Sequence, residues 1–309
     1  MSASAPLKST WRDIAIVAGH ELGEALGSRR VLIFALLFVG GSVAATLAFV
    51  NALETLEAGL ATSLAVSNTG KPGAMTQELM RSPQFLRMLR RLVKDAALAR
   101  ELASMPPLSL FYGWLGLTFM PVLVMLTAAE SVSSELARGS LRFSLVRTER
   151  YAFSAGKLTG QTLLMLAGAM TGAAAVWLTG YCTLSSFEPG RTALWLLLLS
   201  LRVSVYAFAY VGVAVGLSHL TGSVPLSRAL GLGSLLAFGV TYGMLTKNPF
   251  VQKLAGGFGE ALLVAVPQSH ALSLWQPELA ERLPALVLLA ALGIGYFSIG
   301  YAYRARRDA

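Results

Sequence analysis

Charge is what this chain most conspicuously lacks. Only 13% of its 309 residues are Asp, Glu, Lys or Arg, against roughly 25% in a soluble domain. With 55% hydrophobic residues and a mean hydropathy of +0.61, it reads as integral to a membrane. Cysteine is nearly absent. Cys182 alone excludes an intramolecular disulfide and any Cys-x-x-Cys metal site, and reads as a small apolar filler near a helix end. Histidine is scarce too. His20-Glu21 opens like the zinc motif H-E-x-x-H, but Glu24 stands where the second histidine belongs, and only His219 and His270 remain. There is no phosphate loop: Gly156-Lys157 is followed by Leu158 and lacks the upstream glycine, so the chain shows no means of binding ATP phosphates itself. No G-x-S-x-G elbow occurs. Acidic residues avoid the apolar runs, with Glu130, Glu188 and Glu260 at or beyond their ends, whereas proton-coupled carriers commonly bury such groups. The expectation is a non-catalytic chain with no cofactor or metal bound directly. The net charge of +9 is read as Lys and Arg retained on the cytoplasmic side, with no nucleic-acid partner.

What is present is long apolar sequence. A helix needs about 20 apolar residues to span the hydrocarbon core. Six segments qualify: Val31–Val50, Leu108–Ala129, Leu158–Tyr181, Thr192–Leu217, Leu226–Leu245 and Leu283–Tyr303. The first run begins too late, and is too long, for a cleavable signal peptide. An even count puts both termini on one side. Lys8, Arg12, Arg29 and Arg30 precede the first span, and Arg304, Arg306 and Arg307 follow the last. The positive-inside rule then places both termini, and the 130–157 connection, in the cytoplasm. The chain is expected to be a single transmembrane domain over 1–309, in the cell (inner) membrane. Segments 51–107 and 246–282 would be external.

The 51–107 loop carries Lys71, Arg81, Arg87, Arg90, Arg91, Lys94 and Arg100 on the side that the rule leaves poor in cations. Loops approaching about 60 residues largely escape it. Within this loop Phe85, Leu86, Leu89, Leu92, Val93 and Ala96 recur at helical spacing, opposite Arg87, Arg90, Arg91 and Lys94. That pattern predicts one basic amphipathic helix, either packed on the mouth of the spans or touching anionic headgroups or an external partner. The 10–28 segment predicts an interfacial helix. Trp11, Ile14, Ala18, Leu22 and Ala25 share its apolar face, Arg12, Glu21, Glu24 and Ser28 point elsewhere, and Thr10 caps the first turn.

Gly168/Gly172, Gly212/Gly216 and Gly239/Gly243 form G-x-x-x-G pairs, which let helices approach closely in lipid. Arg202 lies about ten residues into the fourth span, roughly 15 Å along it and near the midplane. A central Arg costs about 2.5–3.5 kcal/mol. Arg202 is therefore read either as a pathway or structural charge, or as an arginine that reaches the outer headgroups from a later-starting span.

Glu130–Lys157 is a charged island between two spans. It contains Glu135, Arg138, Arg142, Arg147, Glu149 and Arg150. Glu130, Glu135, Arg138, Gly139, Ser140, Leu141 and Arg142, then Leu145, Arg147, Arg150, Gly156 and Lys157, follow a pattern that resembles the ABC-2 type permeases. His20–Leu32 resembles the same family's approach to its first span. Where that family usually carries a proline, Arg147-Thr148-Glu149-Arg150 has none.

The resemblance implies an all-α polytopic membrane subunit of an exporter, with a cytoplasmic coupling-helix region and a separate ABC ATPase that binds the ATP. It also implies a homodimer or paired permease, with an external accessory protein as a further partner. Under it, Ser133–Ala137 extends the second span, Gly139 permits the reversal, and Leu141, Phe143 and Leu145 anchor in the ATPase. Arg142, Arg147 and Arg150 make ion pairs at the rim. Docking is thus assigned to Glu130, Glu135, Arg138, Gly139, Leu141, Arg142, Phe143, Leu145, Arg147, Arg150 and Lys157. A secondary transporter and a non-transporting component of an ATPase-driven complex are the competing readings.

Overall fold

The structure, a computed structural model, describes residues 7–27, 30–64, 72–73, 80, 82–93, 95–140 and 148–307. Every regular element among them is helical. The chain runs α1 (Leu7–Gly27), α2 (Arg30–Ala35), a π-helical turn (Leu36–Gly40) and α3 (Gly41–Leu64). Then come α4 (Pro83–Val93), α5 (Ala96–Ser104), α6 (Pro107–Thr127), α7 (Ser133–Arg138) and α8 (Arg150–Thr183). The last four helices are α9 (Pro189–Ser218), α10 (Val224–Lys247), α11 (Pro249–Ala265) and α12 (Leu279–Arg307).

Six stretches are long and apolar enough to cross a membrane: Ile33–Gly59, Pro107–Arg138, Arg150–Thr183, Pro189–Ser218, Val224–Lys247 and Leu279–Arg307. They coincide with the six expected spans, most of them extended outward by turns that hydropathy alone trims, although the first begins at Ile33 rather than Val31. The protein is an all-α polytopic membrane protein.

Span four is the hub. α9 packs on α6, α8 and α12, while α3 and α1 both lie on α8. Lipid supplies no hydrophobic drive between helices, so close backbone approach and internal hydrogen bonds must hold them. Both are present. A Cβ added to Gly212 would land on the backbone of Gly293, and one on Gly300 would land on Gly216. Spans four and six therefore touch backbone to backbone. Gly168 makes room for the Phe34 and Phe38 rings of span one, and Gly172 for the Ser42 side chain and the Phe38 carbonyl. Gly239 and Gly243 differ, for nothing stands within 4 Å of a Cβ at either. In the core, the Tyr112 hydroxyl donates to the Ala169 carbonyl at 2.8 Å and meets Ser200 Oγ at 2.9 Å.

The 51–107 segment departs from the single basic helix expected. Asp95 interrupts it and caps α5, accepting from the N–H of Ala97 at 2.8 Å and of Leu98 at 3.2 Å. Those N–H groups, with the Gln276 amide, hold its carboxyl below the usual carboxylate range. Ala96 thus opens the second helix rather than closing the first. Lys94 and the side chain of Leu92 lie outside the described residues.

The 246–282 segment is also structured. α11 breaks at Gly256, whose φ of 49° and ψ of −138° suit only glycine. Two 3₁₀ turns, Pro267–His270 and Leu272–Trp275, then lead into α12.

Candidate functional site

Span two ends where the charged island begins. After α6, a 3₁₀ turn (Ala128–Glu130) feeds α7, and α7 stops at Gly139, whose φ of 71° is left-handed. The Ser140 N–H returns to the Glu135 carbonyl at 3.1 Å, closing the helix end. The extension over Ser133–Ala137 forms as expected, and Gly139 takes the left-handed conformation that a turn there requires. Leu141, Arg142, Phe143, Leu145 and Arg147 lie outside the described residues.

The turn and the start of α7 are pinned by three residues from two helices. Ser218, the last residue of α9, accepts from the N–H of Val132 at 3.0 Å and of Ser133 at 2.8 Å. These are orphan donors of a helix start, satisfied by a side chain from another span. Ser227 of α10 donates to the Ala129 carbonyl. Arg228 reaches Glu130 at 2.6 Å. Glu130 is therefore held by span five.

Lys157 faces inward. It is 3% exposed, and its Nζ lies 2.5 Å from Glu21 Oε2 and 2.5 Å from Glu135 Oε1. Gln161, one turn on, donates to Glu21 Oε1 at 2.7 Å. Two carboxylates, one ammonium and one amide thus join α1, α7 and α8. Such ions survive away from water only when paired and hydrogen-bonded. Lys157 and Glu135, expected at a docking surface, meet each other inside the protein. Arg138 and Arg150 remain exposed on either side of the undescribed 141–147 stretch.

Two features of this cluster escaped the sequence reading. One is Glu21, expected to point away from the apolar face of the N-terminal helix. In fact Ile14, Ala18 and Glu21 are its buried positions, while Trp11 is 71% exposed and Thr10 lies inside the helix rather than capping it. The other is Gly156/Gly160, a G-x-x-x-G pair that flanks Lys157. A Cβ at Gly156 would stand 2.5 Å from Val17 Cβ, and one at Gly160 would stand 2.8 Å from Glu21 Cβ. The pair brings α1 onto α8 closely enough for Glu21 to reach the ammonium. The spacing was visible; its partner was not.

His219 follows Ser218 at the same end. Its ring lies 6.2 Å from those of Phe297 and Tyr301. Burial, and next the Arg304 charge, push the imidazole down to about 4.

Arg202 stands apart from this cluster. Its span starts earlier than expected, at Pro189, which sets it deeper rather than nearer the headgroups. The guanidinium donates to the Leu274 carbonyl at 3.1 Å and lies over the Trp195 ring at 5.9 Å. Among the described residues its charge is met by a 3₁₀ turn of the 246–282 segment and not by a carboxylate.

The fold and the island agree with one family. The model of the ABC-2 family transporter proteins matches residues 15–294. This chain belongs to the ABC-2 transporter family. No curated protein matches it significantly. As an ABC-2 protein it is a membrane-spanning, non-catalytic component of a transporter, and its family generally associates with ABC ATPase subunits. The match reaches from α1 into α12, so the helix that carries Glu21 belongs to the ABC-2 unit as much as the spans do.

Proposed function

We propose that this chain is the permease subunit of an ABC exporter, driven by a separate ATPase that docks on the 130–157 connection. The observation that carries this reading is the Glu21–Lys157–Glu135 cluster. A docking element moves spans only if it is rigidly joined to them, and this cluster joins α7 to α8 and to α1. A push on the 138–150 surface therefore reaches spans two and three together, with α1 following. Ser218 and Arg228 extend the connection to spans four and five.

Arg138 and Arg150 offer the exposed charges of this surface. Leu141, Phe143 and Leu145 are its sequence-assigned anchors, with Arg142 and Arg147 at the rim. Rim charges of this kind orient a partner more than they bind it, whereas apolar anchors supply affinity. On this reading both termini and the docking surface are cytoplasmic, in the cell (inner) membrane. Arg138, Arg150, Arg304, Arg306 and Arg307 fit the positive-inside rule there.

Two copies would form the pathway. Gly239 and Gly243 supply a small-residue face on α10 that no other helix among the described residues fills, in contrast to the filled pairs of spans three and four. The decisive assay is co-purification with the ATPase subunit, followed by substrate-stimulated ATP hydrolysis. A complex that binds the ATPase but moves nothing across vesicles would favour the non-transporting reading.

A further inference from the structure

The opposite end of the bundle carries a feature that coupling does not use. Trp114, Trp177 and Trp195 each lie within about two turns of the helix ends on that side. Trp114 and Tyr181 are more than half exposed, and Trp177 stacks on Tyr181 at 5.6 Å. Tryptophan and tyrosine gather at the level of lipid headgroups. α4 and α5 sit at this level. Leu98, Leu102 and Met105 form a buried cluster that receives Leu89 and Val93 of α4 and packs on Trp195 and Trp275.

Leu89 and Val93 of α4 are thereby committed to the protein. The other side of α4 shows Arg87, Arg90 and Arg91, all exposed, with Arg100 exposed on α5. Among the described residues none of these four pairs with a carboxylate. Arg87 and Arg100 spend only Nε, each on a carbonyl of its own helix at 3.2 Å. Met88, 52% exposed, flanks the arginines. Guanidinium groups match phosphate oxygens in pairs. An apolar side chain beside such groups suits the boundary between headgroup and acyl chain.

We propose that α4 and α5 form a binding surface for anionic phospholipid headgroups, in which Arg87, Arg90 and Arg91 engage the lipid phosphate. Phosphate groups at the aromatic belt are the one abundant anion that lies where these arginines stand. The surface concerns this end of the bundle whichever leaflet it meets, and it does not depend on the exporter reading.

The test uses full-length protein in detergent, exchanged with equal amounts of phosphatidylglycerol and phosphatidylcholine, with retained lipid counted by native mass spectrometry. The R87Q/R90Q/R91Q variant should lower the retained phosphatidylglycerol-to-phosphatidylcholine ratio by about fivefold or more. Its melting temperature should stay that of the unmodified protein. R306Q/R307Q, at the opposite end, should lower the ratio far less. An unchanged ratio in R87Q/R90Q/R91Q, or an equal fall in both variants, overturns the proposal.

Discussion

Lys157 Nζ stands 2.5 Å from Glu21 Oε2, across 136 residues of chain. The contact joins a helix that precedes the first span to the start of the third, and Glu135 brings in the end of the second. Removing the lysine strands two carboxylates. Lys157→Met should destabilise the detergent-solubilised protein by about 3–5 kcal/mol, read as a lowered melting temperature. The triple variant Glu21→Gln, Glu135→Gln, Lys157→Met removes the stranded charges and should recover most of that loss. Equal melting temperatures for Lys157→Met and the unmodified protein would show that the cluster carries no stability.

The glycine pairs should divide by location. Gly212→Val and Gly300→Val force side chains into a facing backbone, where no side-chain adjustment gives relief. Both should abolish accumulation of folded protein. Gly239→Val meets open space. It should fold normally yet weaken self-association, measured as a shift from dimer to monomer in light scattering. Normal folding of Gly212→Val would contradict the close approach of spans four and six.

His219 gives a dependence on pH. In the fold its imidazole is pushed down to about 4, whereas an unfolded histidine titrates near 6.5. Between those values the unfolded chain takes up a proton that the fold refuses. Stability is therefore full above about pH 6.5 and falls as pH drops towards 4, by about 3 kcal/mol in total. Melting temperatures of the unmodified protein and His219→Gln should diverge across that window. Parallel curves would contradict the buried neutral ring.

Arg202→Leu removes the donor to Leu274 and the cation over Trp195. Hydrogen exchange should rise in Leu272–Trp275 by about tenfold, the effect of losing roughly 1.4 kcal/mol from a charge-assisted bond. Unchanged exchange there would mean that the turn does not rely on the arginine.

Much of this architecture was legible in the residues. The six spans follow from hydropathy because lipid requires long uninterrupted apolar helices. Gly212/Gly216 and Gly168/Gly172 announced close contacts because only small residues permit them. Gly139 marked a reversal, and it is left-handed. Legibility ended where a residue's role depends on a distant partner. Glu21 looked like a polar-face residue because its counter-ion lies in another span. Asp95 broke a pattern that periodicity ran straight through, although a capping aspartate ahead of α5 was there to be read. Arg202 was read as a pathway or structural charge from its own span, and its described partner is a carbonyl 72 residues on, in a 3₁₀ turn.

The central claim is that the 130–157 connection receives an ATPase. It is tested most directly by affinity purification of the chain with its ATPase subunit, comparing the unmodified protein with Leu141→Asp/Phe143→Asp. The account predicts that the variant inserts in the membrane and folds normally but no longer retains the ATPase. Retention of the ATPase at the unmodified level by the folded variant would contradict it.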